Sequence, residues 1–257
     1  MLYVLITAGA SGIGRAMAKA FDEAGAAIWV VDIDDAGLQQ CPDHWYRTTL
    51  DVTNENAVAA LFKDISERWG KLDVVCANAG IAGPTAQIED VQLSDWKRCL
   101  SVNLEGAFLF AKYATPIMKA QHSGSLILTS STAGLYGYPN RAPYCTAKWG
   151  VIGLMKTLAM ELGPHGIRAN AICPGSVEGD RMNGVLDREA AIKGSTREYI
   201  QEAYASGTSM RCFVTAEDVA AMALFLGSDA SQRVSGQVMA VDGHTENPDP
   251  KVHINPQ

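Results

Sequence analysis

Tyr144 and Lys148 stand four positions apart in the run Tyr144-Cys145-Thr146-Ala147-Lys148, so a helix through them sets both side chains on one face. A phenol titrates at about 10 in water and is a poor base at neutral pH. A neighbouring ammonium favours the phenolate and draws that value toward the working range, so that Tyr144 could exchange a proton with a hydroxyl. Alone, such a pair is an ordinary surface pattern. Ser130 and Ser131, closing an upstream apolar run, add hydroxyls that can hydrogen-bond an oxygen.

A second group of residues points to a ligand with phosphates. Thr7-Ala8-Gly9-Ala10-Ser11-Gly12-Ile13-Gly14 follows an apolar run, and helical spacing follows at once in Ile13, Ala16, Met17, Ala20 and Phe21, up to Gly25. Glycines here let the backbone turn tightly and approach a pyrophosphate, whose charge the helix N-terminus stabilises. Asp32 closes the next apolar run, eighteen residues past Gly14. A carboxylate there can accept both ribose hydroxyls of an adenosine and would repel a 2′-phosphate. Ile33 follows it rather than an arginine, so NAD is expected over NADP; Asp34 or Asp35 better suits a helix cap.

The elements that must position these groups alternate along the chain. Apolar runs predict strands over 2–7, 27–32, 46–51, 72–77, 125–130, 167–173 and 238–241. Helices are predicted from an Asn54 cap to Trp69, from a Ser94 cap through Asn103 to Met118, over 144–162, and after Thr215 to Leu226. This alternation predicts an α/β fold: one doubly wound Rossmann domain over 1–246, with a parallel sheet of about seven strands and helices on both faces. Residues 247–257 read as a loose tail. Residues 176–213 break the alternation and read as a substrate lid with helices of its own, leaving from the edge where ligands bind.

Taken together these residues resemble the short-chain dehydrogenases/reductases in their single-domain form, from about residue 2 to 244. The glycine turn is similar to the family's T-G-x-x-x-G-x-G, with Ala8 for the first glycine. Ala77-Asn78-Ala79-Gly80 is similar to its N-N-A-G, with the first Asn replaced. The resemblance implies a catalytic set of Asn103, Ser131, Tyr144 and Lys148, with Ser131 selected over Ser130 by its thirteen-residue distance from Tyr144. It implies cofactor contacts from Gly9, Ser11, Gly12, Ile13 and Gly14, from Asp32 and Ile33, and from Asp51 and Val52 at the adenine. Asn78, Ala79, Gly80, Tyr144 and Lys148 follow, then Pro174, Gly175 and Val177 near the nicotinamide, while Gly179 stands where the family often has Thr. In these roles Tyr144 takes the hydroxyl proton as the nicotinamide accepts a hydride, and Lys148 holds the ribose and lowers the phenol pKa. Ser131 donates to the forming carbonyl oxygen, and Asn103 holds a water linking Lys148 to solvent. The family also implies a homotetramer through the helices ending near Met118 and Leu162.

Composition narrows the alternatives. With 257 residues, 47% hydrophobic and 19% charged, the chain can bury one large core. A net charge of -7 argues against a nucleic-acid partner. The six cysteines include no C-x-x-C pair and no metal-ligand pattern, and read as buried residues in a reducing compartment. No run has the length of a membrane span, and a cytoplasmic location is expected.

The reading favoured is NAD-dependent oxidation of a secondary alcohol. A 3-oxoacyl thioester reductase is a second reading, and a non-catalytic dinucleotide sensor a third. Tyr138, Arg141, Arg181 and Arg211 are the substrate candidates, with Tyr136 and His244 as further possibilities. The lid carries mixed charge, and its apolar Met182, Val185, Leu186, Ile192, Tyr199 and Ile200 are expected to dock short helices on the body. A small hydroxylated substrate such as a polyol, sugar or hydroxy acid is therefore expected.

Overall fold

Strands covered on both faces need apolar side chains pointing both ways, and the runs described above become the strands of one sheet. The computed structural model describes residues 1–248. The first half of the chain forms β1 (Tyr3–Thr7), α1 (Gly12–Glu23), β2 (Ala27–Asp32), α2 (Asp35–Gln39), β3 (Tyr46–Thr49), α3 (Glu55–Trp69), β4 (Val74–Ala77), α4 (Leu93–Leu100) and α5 (Gly106–Gln121). The second half forms β5 (Gly124–Thr129), α6 (Ala142–Leu162), β6 (Ile167–Pro174), α7 (Asp180–Lys193), α8 (Arg197–Ser206), α9 (Ala216–Gly227) and β7 (Val238–Val241). The sheet order is β3-β2-β1-β4-β5-β6-β7, all parallel. The order reverses between β1 and β4, which opens a crevice at their carboxyl ends.

Alternation along each strand feeds two cores. On β5, Leu126 and Leu128 join the cluster that α3, α5 and α6 cover, while Ile127 joins the one under α1 and α9. Local chemistry sets the helix starts. Asn54 accepts a hydrogen bond from the Ala57 N–H at 3.1 Å, Asp34 caps α2 through Gly37, and Thr215 and Asp218 form a capping box.

Several boundaries differ from the sequence reading. β3 stops at Thr49, because Asp51 turns its carboxylate to the backbone and hydroxyl of Thr53 and ends the ladder. Ser94 is not a cap: α4 begins at Leu93, and Gln92 precedes it without a side-chain hydrogen bond. The helical stretch expected to run on to Met118 contains a π-helical segment, Ser101–Glu105, whose extra residue per turn rotates Asn103 into the interior.

Within 176–213 the apolar side chains pack chiefly on one another. Leu186, Ala190 and Ile200 form a separate small cluster with Met182, Tyr199, Tyr204 and Phe213, and Ile192 is 54% exposed. The expected docking onto the body is corrected accordingly, since α7 and α8 carry a core of their own. On α5 and α6, the helices through which association was expected, Phe108, Trp149 and Met160 are exposed. Among the described residues, no helix is long and apolar enough to cross a membrane, and no cluster of His, Cys, Asp or Glu could hold a metal. All six cysteines are free, four of them buried.

Candidate active site

The glycine turn lies where β1 meets α1. Ser11 stands at the N-cap of α1 without bonding its backbone, so the first N–H groups of that helix face the crevice without a side-chain cap. A Cβ on Gly14 would collide with the Ala8 carbonyl, which explains why glycine is needed there. Ala8, in place of the family's first glycine, sits at φ 53, in the left-handed region unfavourable to a residue with a Cβ. Ala8→Gly should therefore stabilise the protein by about 1 kcal/mol, read as a rise in Tm of about 2–4 °C. A fall in Tm would show that the strain is absent.

Asp32 ends β2 beside this turn. Its Oδ2 accepts from the Ala10 N–H at 3.0 Å and its Oδ1 from the Asp34 N–H at 3.1 Å, which fixes the carboxylate at the strand end. Ile33 next to it is 69% exposed, offering an apolar face to a planar ring. Thr7 has a role beyond the turn. Its buried hydroxyl accepts from the N–H groups of Asn78 and Ala79, at 2.9 and 2.8 Å, and so ties the end of β1 to the segment after β4. Val52 is buried against Gly106, so its side chain belongs to the core.

The tyrosine, lysine and serine converge across the crevice. Pro143 and the helical period of α6 place Tyr144 in its first turn with Lys148 one turn later. The Lys148 Nζ lies 5.6 Å from the Tyr144 ring centre and donates to the Thr129 carbonyl at 2.8 Å. Burial depresses the Lys148 pKa, partly opposed by Tyr144. Burial alone would raise the Tyr144 pKa, but Lys148 and Arg181, helped by a Ser131 hydrogen bond and by Arg141, bring it below the ordinary phenol value. Ser130 and Ser131 separate in role: the Ser130 hydroxyl is buried and donates to the Lys148 carbonyl at 2.8 Å, while Ser131 caps a short turn at the cavity wall.

Asn103 lies behind this group and is 1% exposed. Its Nδ2 donates to the carbonyls of Cys99 and Ile81, while its Oδ1 has no hydrogen-bond partner among the described residues. A Cβ on Gly80 would lie 2.5 Å from that oxygen and 3.4 Å from the Lys148 Nζ, so the three groups border one small space. A buried acceptor of this kind is suited to a bound water.

A cavity of about 400 Å³ joins the turn to Tyr144. Ser11, Gly12, Ile13, Asn78 and Gly80 border one end, and Pro174, Gly175 and Val177 the side nearest the lid. Gly9, Gly14, Asp32, Ile33, Asp51, Val52 and Ala79 lie outside its walls. Of the four substrate candidates, Tyr138, Arg141 and Arg181 line it. Arg211 does not: it sits at φ 54 in a tight turn and donates to the Ser206 carbonyl. Tyr136 reaches the Thr245 carbonyl and His244 pairs with Ser209, so neither lines the cavity. Sequence reasoning missed Tyr204, whose hydroxyl donates to Glu189 Oε2 at 2.6 Å; burial, with the Glu189 charge, drives its pKa far up.

A parallel sheet with a glycine turn at its switch point and a cavity of mixed polarity beyond it defines a dinucleotide-binding class of fold. Within that class the chain belongs to the short-chain dehydrogenase/reductase family: residues 7–244 match the family described as Enoyl-(Acyl carrier protein) reductase. The chain is 39% identical over 248 residues to the mitochondrial borneol dehydrogenase of Lavandula x intermedia, covering 93% of this chain and 88% of that one. It is 35% identical over 247 residues to the cis-4-hydroxycyclohexanecarboxylate dehydrogenase of Sinomonas cyclohexanicum, covering 93% and 94%. An NAD+-bound xylitol dehydrogenase superimposes with a TM-score of 0.91 at 29% identity, over 94% of this chain and 98% of that one.

Proposed function

We propose that this protein is an NAD-dependent oxidoreductase of small secondary alcohols and the corresponding ketones, with Tyr144 as general acid/base. The observation that carries the reading is the Tyr144 phenol, its pKa held down against burial, at the wall of a cavity that begins at a glycine turn. The residues suit a dinucleotide. The uncapped start of α1 can meet a pyrophosphate, the Asp32 carboxylate can meet ribose hydroxyls, and the exposed Ile33 can cover an adenine. Arg15 donates to the carbonyls of Ala10 and Gln40, a commitment that leaves it poorly placed to greet a 2′-phosphate. NAD is therefore the favoured cofactor, and the name of the xylitol dehydrogenase structure supports it.

When bound, the nicotinamide supplies a hydride acceptor for alcohol oxidation and a donor for the reverse reaction. Tyr144 receives the alcohol proton as phenolate and returns it as phenol. Lys148 favours the phenolate and holds the phenol below its ordinary pKa, and Ser131 is placed to donate to the substrate oxygen. Asn103 and Lys148 border a space suited to a water that would pass the proton outward. The cavity walls combine the apolar Ala82, Met182 and Val185 with Tyr138 and Arg141, which favours a compact skeleton of mixed polarity over a polyol. A panel of cyclic alcohols, polyols and hydroxy acids, followed by NADH absorbance, tests the reading; no NADH from any of them sinks it.

The electrostatics have a pH consequence. Oxidation needs the phenolate, so kcat/KM should rise with pH and level off below the ordinary phenol pKa of about 10. Lys148→Met removes the principal cation and leaves burial, which raises the phenol pKa. The rising limb should then move to higher pH; an unshifted limb would assign it to another group.

A further inference from the structure

We infer that Arg141, assisted by Arg181, is a carboxylate-binding and specificity-determining pair, so that the preferred substrate is a hydroxy acid on a compact, partly apolar skeleton. This rests on the oxidoreductase reading and names its substrate class. Arg141 stands at the N-cap of α6, with its guanidinium carbon 4.9 Å from the Tyr144 ring centre. Its Nη2 donates to the Ala82 carbonyl at 3.1 Å, but its Nε is buried and has no hydrogen-bond partner among the described residues. Arg181 enters from the first turn of α7, with its guanidinium carbon 5.9 Å from the same ring centre, and donates to the Gly80 carbonyl at 3.2 Å.

Neither arginine pairs with a carboxylate among the ion pairs of the described residues. Two guanidiniums and the Lys148 ammonium thus surround one phenol in a recess, and a single phenolate offsets at most one of the three charges. Arg181 is exposed, but Lys148 is buried and Arg141 half-buried; cations held away from water are costly, and an anion that enters with the ligand relieves that cost. The start of α6 adds a positive helix end on the same side. Glu178 and Asp180 also border the cavity, on the segment that carries Arg181, and they would repel an anion seated near the lid. Arg141, which lines the cavity from the start of α6 rather than from that segment, is therefore the better seat. A guanidinium fork matches a carboxylate in geometry as well as charge. Met182 and Val185 line the apolar part of the same cavity, where a hydrocarbon skeleton between hydroxyl and carboxylate would rest.

The test separates binding from turnover. Calorimetry on the NAD-loaded protein would compare cyclohexanecarboxylate with the neutral cyclohexanecarboxamide. The acid should bind about tenfold tighter or more, the size of one charge-assisted hydrogen bond. Arg141→Gln should erase that preference, Arg141→Lys should keep part of it, and Arg181→Gln, at an exposed position, should reduce it. Equal binding of acid and amide by the unmodified protein, or equal weakening of both by Arg141→Gln, overturns the inference. In parallel, NADH formation from cis-4-hydroxycyclohexanecarboxylate and its amide should show the same ratio in kcat/KM. NADH from neither compound would count against the oxidoreductase reading, while the binding comparison would still decide the role of Arg141.

Discussion

Tyr144→Phe should lower kcat by about a hundred- to ten-thousand-fold, the range supplied by a positioned acid–base group. The substitution removes one oxygen and leaves the ring, so the packing of Arg141 and Lys148 against it is kept. Affinity for NADH, read by fluorescence titration, should change little, because the glycine turn, Asp32 and Lys148 are left untouched. That separation distinguishes a lost proton-transfer group from a damaged fold. Activity near that of the unmodified protein would remove Tyr144 from the mechanism, whatever its pKa.

The parts of this architecture that local chemistry determines were legible from residue order. β2 and β7 have the bounds their apolar runs predict, and the caps at Asn54 and Thr215 are each completed within three residues of chain. Tyr144 and Lys148 share a helical face because four residues span one turn. Legibility falls where a position depends on distant segments or unusual backbone. No sequence period signals the π segment that turns Asn103 inward. Arg211 looked like a cavity residue by charge and place, yet its left-handed backbone turns it back to Ser206. No local pattern marks Tyr204, because its partner, Glu189, lies on the other lid helix, fifteen residues away. The lid's apolar residues were recognised as helix faces, but pattern alone cannot tell a face that docks on the body from one that packs on its neighbour.

In the function proposed above, cofactor choice would rest on a feature of both kinds, a strand-end carboxylate whose partners come from elsewhere. Asp32 holds the Ala10 and Asp34 N–H groups, so replacing it also disturbs the turn. Two substitutions separate the effects. Asp32→Asn keeps an acceptor for the Ala10 N–H but loses the charge, and it should admit NADP while weakening NAD moderately. Asp32→Ala loses both and should raise the KM for NAD by about tenfold or more, since a hydrogen bond to a charged group contributes roughly 1.5–3 kcal/mol. In both variants the NAD/NADP ratio of kcat/KM should fall, because the repulsion of a 2′-phosphate is gone. Circular dichroism and Tm report whether the turn has survived. If the unmodified protein uses NADP as readily as NAD, the carboxylate does not discriminate. If Asp32→Asn leaves the ratio unchanged, the discrimination must come from the surrounding backbone, with Arg15 committed to its carbonyls as the next group to examine.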